Sequence, residues 1–240
     1  MKRFARLIVV SAALAVGLVV ATSAGGANEC EGLQVCVPVA GPWVVVPQGG
    51  GTQGGGTQRP EVEYQLTCPR RHVVGGLDAE LSHRGIDVSF SGRLGSPVNP
   101  GITTTRSAVF KGSYVGDSAR ATSFRPYIGC MPAAGGGPRV PTAVAIVPPG
   151  TPTVRRVKTV RVRPGSASVS VACVKGERIV GSSHAFGFFA RMPPSASLIS
   201  GIAGARIVRD GRVVVRVRGD AELGGVRAVV HVHAVCAGAR

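Results

Sequence analysis

Acidic and aromatic residues are scarce in this chain of 240 residues. It has 12 Asp and Glu against 28 Lys and Arg, and only 5% of its residues are aromatic, with a single Trp. The shortage of acids leaves a positive field that attracts anions such as wall polymers, acidic lipids and polysaccharides. Single-stranded nucleic-acid platforms interleave basic residues with aromatics. The basic runs here lack such aromatics, so we expect no sequence-specific nucleic-acid binding.

Helical periodicity and catalytic motifs are also missing. Nothing in residues 60–240 keeps a helical period for three turns, and after residue 24 no segment is long and apolar enough to span a bilayer. The glycine-rich run "QGGGTQGGGTQ" lacks the Gly-Lys-Ser/Thr ending of a phosphate-binding loop. We therefore predict a protein that has no cofactor and is not an enzyme.

The N-terminal stretch "MKRFARLIVVSAALAVGLVVATSAGG" has the layout of a secretory signal peptide, because basic residues precede an apolar run and then small residues. We predict cleavage near Ala24 or Ala27, and an uncleaved anchor is the alternative. Removing residues 1–24 leaves 25 basic and 12 acidic residues, a net charge of +13. The expected location is outside the cell or at its envelope.

Six cysteines in an exported chain predict disulfides. They are Cys30, Cys36, Cys68, Cys130, Cys173 and Cys236. Six cysteines allow fifteen pairings, so the spacing has to choose among them. Two nearly equal intervals of 62 and 63 residues and one interval of six favour Cys68–Cys130, Cys173–Cys236 and Cys30–Cys36. Each long bridge closes a loop whose entropy is worth on the order of 4 kcal/mol.

Alternation of apolar and polar residues predicts strands. In "EVEYQLTC" and again in "VSVAC" the apolar residues and the cysteine share one face, so both cysteines point inward. Asp210-Gly211 lies between β-branched runs and predicts a hairpin. The stretches "GLDAEL" and "IDVSF" predict a second hairpin across "SHRG".

These patterns predict an all-β fold of two tandem, disulfide-stapled antiparallel modules that are sandwich-like. The expected division is a signal peptide (1–24), a small head with a short disulfide loop (25–47), a Gly/Thr/Gln linker (48–60), a first module (61–132), a Pro/Gly-rich crossing (133–153) and a second module (154–240). Whether the two modules share one core stays open, as does the oligomeric state.

The stretches "CPRRHVVGG" and "YIGC", and again "CVKGERIVG" and "HAVC", resemble small disulfide-closed β modules of secreted bacterial and phage-associated proteins. Those modules open with Cys-Pro-x-Gly, continue with Val-x-Gly-Gly and close with Ala-(Val/Ile)-Cys. This chain departs from the pattern at Arg71, which replaces the early glycine, at Val174, which replaces the proline, and at Ser182, which replaces the second glycine. The resemblance implies the fold and no functional residues.

Two sets of residues are candidates for a binding site. Alternation places the arginines of each basic strand on one side, and the two strands together predict a cationic sheet face that grips a polyanion. These residues are Arg161, Arg163, Arg216 and Arg218. His231 and His233 share one strand face, and a metal there needs a third ligand such as His184. We expect instead a solvated face, shared with Arg216 and Arg218, and no metal.

The function predicted from these features is that of a non-catalytic structural or ligand-binding protein of the cell envelope or exterior. Its expected partner is an anionic cell-surface polymer or polysaccharide. The alternative is a secreted hydrolase whose site is assembled only in the fold, and a third possibility is a passive matrix or stalk component.

Overall fold

A computed structural model describes residues 28–33, 35–48, 60–91, 106–116, 121–133 and 153–238. The strands are β1 (Val37–Ala40), β2 (Trp43–Val46), β3 (Glu61–Thr67), β4 (His72–Leu81), β5 (Ile86–Ser91), β6 (Ser107–Tyr114), β7 (Thr122–Pro132), β8 (Thr153–Val162), β9 (Gly165–Ala172), β10 (Glu177–Phe189), β11 (Ile202–Arg209), β12 (Arg212–Gly219) and β13 (Arg227–Gly238). One short helix, α1 (Ala196–Ser200), and a 3₁₀ turn (Ala221–Gly225) interrupt them. The predicted signal peptide and most of the predicted linker and crossing lie outside the described residues.

The described strands form three sheets, and all their pairings are antiparallel. The central sheet has the order β4-β7-β2-β10-β13-β8, with β1 beside β7 on the same side as β2. A three-stranded sheet β3-β6-β5 covers the first module, and a sheet β9-β12-β11 covers the second. The predicted all-β class with two disulfide-stapled modules is confirmed.

The two modules have the same strand order. Counted from β3 in the first module and from β9 in the second, the first, fourth and third strands form the outer sheet, and the second and fifth strands pair in the central sheet. β8 is an additional strand of the second module and lies in the central sheet. Phe110 and Phe124 lie in the core of the first module, and Phe188 and Val215 lie in the core of the second. The central sheet thus supplies a wall to both cores.

All three predicted disulfides are confirmed: Cys30–Cys36, Cys68–Cys130 and Cys173–Cys236. A β-branched residue and a glycine two positions later follow each first cysteine, and this step forms a β-bulge against the second cysteine. In β4 the ladder shifts between Val74 and Gly76, and Val74 pairs with Cys130. In β10 the same shift falls between Ile179 and Gly181, and Ile179 pairs with Cys236. The similar sequence stretches therefore encode the same local bend.

The segment predicted as a separate head lies instead in the central sheet. β1 pairs with Tyr127–Cys130 of β7, and β2 pairs with both β7 and β10. The disulfide loop that precedes β1 packs on glycines, because a Cβ at Gly76 or Gly129 would overlap the Glu29 carbonyl. The apolar strand β2 fills the position between β7 and β10 in the central sheet. The free energy gained by burying its side chains there outweighs the conformational entropy that a tethered head would keep.

The two predicted hairpins have different outcomes. β11 and β12 pair across Asp210-Gly211, where both residues have positive φ (50° and 66°), as a type I′ turn requires. The hairpin predicted across "SHRG" is wrong, because β4 pairs with β7 in the central sheet while β5 pairs with β6 in the outer sheet. Apolar and polar residues alternate in both β4 and β5. Their apolar sides face the same core, β4 from the central sheet and β5 from the outer sheet.

Arg71 lies in the left-handed region with φ 64°, three residues after Cys68, and Gly176 with φ 90° lies three residues after Cys173. A non-glycine residue in that region carries a steric cost, so Arg71→Gly is expected to stabilise the fold by up to about 1 kcal/mol. Urea unfolding measures the change. The matched control is Arg70→Gly, which replaces a neighbour without positive φ and gains nothing. Equal effects of the two changes would contradict this account of Arg71.

Candidate functional site

Three arginines form a row along the outer face of β12. Arg212, Arg216 and Arg218 are exposed, whereas Val213, Val215 and Val217 between them are buried in the second core. The alternation of β12 therefore turns all three guanidinium groups to the same side of the outer sheet.

The strands on either side of this row carry small residues. Ser166 and Ser168 of β9 pair with Arg218 and Arg216, and Ala203 and Ala205 of β11 pair with the same two arginines from the other side. Within the described part of the chain, none of the row's arginines forms an ion pair. We call this surface, with Arg212, Arg216 and Arg218 on β12 and its small neighbours, the arginine face.

The other two predicted arginines lie elsewhere. Arg161 of β8 pairs with Val229 of β13, so it shares the sheet face of His231 and His233, on the opposite side of the second module. Arg163 is exposed in the connection from β8 to β9. The structure therefore brings Arg216 and Arg218 together and separates them from Arg161, because β8 belongs to the central sheet and β12 to the outer one.

His231 and His233 are buried, with 1% of each residue exposed. The expectation of a solvated face shared with Arg216 and Arg218 is wrong. The strand β3 of the first module lies across this part of β13, so residues that are distant in sequence cover both rings. The histidines belong to the junction between the modules.

His231 caps the free edge of β3. The Gln65 backbone N–H, which points away from the partner strand β6, donates to His231 Nε2 at 3.2 Å. Nε2 is thus an acceptor, and Nδ1 donates to Thr159 Oγ1 at 2.8 Å. The Tyr64 ring stacks on the imidazole with 4.3 Å between centroids. Burial, with the nearby His233 and Arg155, lowers the pKa of His231 to about 3.

His233 lies in a triangle of polar groups that joins the modules. Glu63 Oε2 of β3 is 2.8 Å from His233 Nε2 and 2.6 Å from Arg155 Nη1. His233 Nε2 and Arg155 Nη1 are also 2.6 Å apart. When both nitrogens donate to the Glu63 carboxylate, each of the two N–H groups has an acceptor. The hydrogen bond from His233, helped by Arg155 and opposed by burial, holds the pKa of Glu63 well below its usual range.

The structure separates the three histidines that the sequence offered as metal ligands. His184 pairs with Val232, so it lies on the sheet face opposite to His231 and His233 and cannot complete a ligand set with them. Both ring nitrogens of His231 are engaged, and its Nδ1 donates to Thr159 rather than taking a proton from it. A grouping of Cys173, Cys236 and Glu177 contains the sulfurs of a disulfide, which are not thiolate ligands.

No protein-family model, curated protein or solved structure matches this chain. In the described residues no helix has the length and apolar character needed to cross a bilayer. The resemblance to secreted disulfide-closed modules stays a prediction.

Sequence reasoning missed the partners of the histidines, which are Glu63, Arg155 and Thr159. Glu63 alternates with apolar residues and reads as part of a wet strand face, and it lies 92 positions from Arg155. Nothing in the local sequence marks such pairs.

We expect Glu63→Gln to destabilise the protein by about 2 kcal/mol, because it leaves Arg155 and His233 without their charged acceptor in a half-buried site. The control is Glu61→Gln on the same strand, because the Glu61 side chain is 44% exposed and its carboxylate pairs with Lys111 at 3.3 Å. That change should cost less than about 0.5 kcal/mol. Chemical denaturation compares the two variants, and similar losses would show that breaking the Glu63 contacts costs no more than breaking an exposed ion pair.

Stability should fall on acidification. The pKa of His231 is about 3 in the folded protein and 6.5 ordinarily, so below pH 6.5 the unfolded chain binds a proton that the folded chain does not. This difference in proton binding lowers the free energy of unfolding by about 1.4 kcal/mol for each unit that the pH falls between pH 6 and 4. Because the pKa of Glu63 is also lowered, the stabilisation from Glu63 is lost below pH 4.5.

Urea unfolding at several pH values tests the assignment, with His231→Gln as the comparison. The variant keeps an acceptor for Gln65 and a donor for Thr159 but does not titrate, so its stability should vary less between pH 6 and 4. Other groups, including His184, titrate equally in both proteins. Parallel curves over that range would refute the role given to His231.

Proposed function

We propose that the chain is a non-catalytic extracellular binding protein whose arginine face holds a linear anionic polymer. Three disulfides are compatible with an oxidising compartment, and the N-terminal layout of a signal peptide supports export. The observation that carries the proposal is the row of exposed arginines on β12, which form no ion pair with any described residue and are bordered by small residues.

The spacing of the row suits an extended ligand. A strand rises about 3.3 Å per residue, which places Arg216 about 7 Å from Arg218 and about 13 Å from Arg212. Guanidinium groups bind carboxylate, phosphate or sulfate oxygens in pairs. The outer sheet is three strands wide, or about 10 Å between its edge strands, so it offers room for one polymer chain along β12. The ligand class we favour is an acidic polysaccharide or another anionic wall polymer.

The charge-reversed pair Arg216→Glu/Arg218→Glu should reduce binding to polygalacturonate at least tenfold. The control is the pair Arg84→Glu/Arg161→Glu, because both residues are exposed and lie away from the arginine face, in the β4–β5 connection and on β8. It changes the net charge equally and should reduce binding less than threefold. Binding of the wild type should weaken steeply as salt rises. Equal losses in both pairs would mean that net charge alone attracts the polymer, and full binding in molar salt would contradict an electrostatic site.

A further inference from the structure

A cleft opens where β2 and β10 diverge. β10 pairs with β2 only at Gly187 and Phe188, and no other described strand pairs with that edge of β10. The resulting space of about 340 Å³ lies between the two modules, within the range of roughly 300–1,000 Å³ that small-molecule sites occupy. It lies at the junction and is separate from the arginine face, whose residues belong to the outer side of β11 and β12.

One wall of the cleft is apolar. Val45 and Pro47 come from the β2 side, Val62 comes from β3, and Phe186 comes from β10. Val62 is fully buried by the first core, and Phe186 packs against the second. The wall is therefore fixed by both modules, which favours a preformed site for an apolar group.

Polar groups with unused hydrogen-bonding capacity also line the cleft. Arg206 of β11 donates to the Ser182 carbonyl and, within the described residues, forms no ion pair. His184 is half-buried, and its side chain forms no hydrogen bond with any described residue. Its ring contacts Phe186 edge-on, with 5.4 Å between the ring centroids. Glu61, at the rim, is held by Lys111 and does not neutralise Arg206.

We infer that this cleft binds a small organic carboxylate with an apolar body. The carboxylate would accept hydrogen bonds from Arg206 and His184, and the body would lie against Val45, Pro47 and Phe186. A guanidinium beside an apolar wall gives such a ligand both orientation and buried surface.

The protonation state of His184 agrees with this assignment. Burial, with the nearby Arg206, lowers the pKa of His184. The neutral ring donates one N–H to a carboxylate without adding a second cation beside Arg206 in the empty site. A bound anion favours the protonated ring, so ligand binding raises the pKa of His184 and tightens as the pH falls.

The test is a titration of the ¹⁵N-labelled protein followed by amide and histidine ring signals. Hexanoate represents a free acid, and N-acetyl-leucine represents a peptide C-terminus. Saturable shifts around His184 with either probe support the proposal. The probe that binds more tightly shows which of these two kinds of molecule supplies the carboxylate. Acetate, which lacks the body, and N-acetyl-leucine amide, which lacks the charge, should bind at least tenfold more weakly. No saturation by either acid at millimolar concentrations, or equal binding of the amide, would overturn it.

Variants locate the site. Arg206→Gln and His184→Gln should each weaken hexanoate binding at least tenfold, whereas Arg209→Gln, an exposed arginine of the same strand outside the cleft, should change it less than twofold. The pair Arg216→Glu/Arg218→Glu should leave hexanoate binding intact, so failure of the cleft and failure of the arginine face are separate results. Equal weakening by Arg206→Gln and Arg209→Gln would contradict a site in the cleft.

Discussion

β2 places its alternating side chains in two different cores, and the arrangement of the modules depends on it. Val44 and Val46 lie in the core of the first module, while Val45 packs against the core of the second. Its backbone pairs with β7 on one side and with β10 on the other. A strand has only two faces and two edges, so one short segment fixes the position of each module relative to the other. Trp43 adds a fully buried indole at the same place.

The contact between the modules also involves the free edge of a strand, whose backbone groups need hydrogen-bond partners. β3 is an edge strand of its sheet, and its exposed donors would remain available for pairing with another chain. The junction places an imidazole acceptor and a guanidinium-bound carboxylate along this edge, at Gln65 and Glu63. Polar residues are costly to bury and stabilise little compared with apolar ones, but their directional bonds fix one alignment of β3 on β13. We read the junction as a device that sets register more than one that adds stability.

The sequence predicted features that are decided by the spacing of the cysteines, by alternation within one strand or by the backbone preferences of one turn. The disulfide pairing followed from spacing, the inward face of Cys68 and Cys173 followed from alternation, and the Asp210-Gly211 turn followed from backbone preferences. The errors concern pairing between distant segments. "SHRG" connects two walls of one sandwich, and β1 and β2 enter a sheet although a glycine-rich run follows them. Alternation states which side of a strand is apolar, but it does not state which strand lies beside it.

The same limitation explains the outcome for the candidate sites. Arg216 and Arg218 could be placed on one face because they share a strand, whereas Arg161 was grouped with them only because its strand is also basic. His231 and His233 share one strand face, as alternation predicted, yet whether that face is exposed to solvent depends on Gln65 and its strand, 166 positions away in sequence.

Acidic residues are few in this chain, and their placement separates two kinds of basic surface. Glu63 pairs with Arg155 and Lys111, and Glu61 also pairs with Lys111. Glu177 pairs with Arg156 beside the Cys173–Cys236 disulfide. Three half-buried basic residues, Arg155, Arg156 and Lys111, are therefore neutralised by acids. The arginines of β12 have no such partner among the described residues, so no acidic side chain there offsets their charge, which attracts anions.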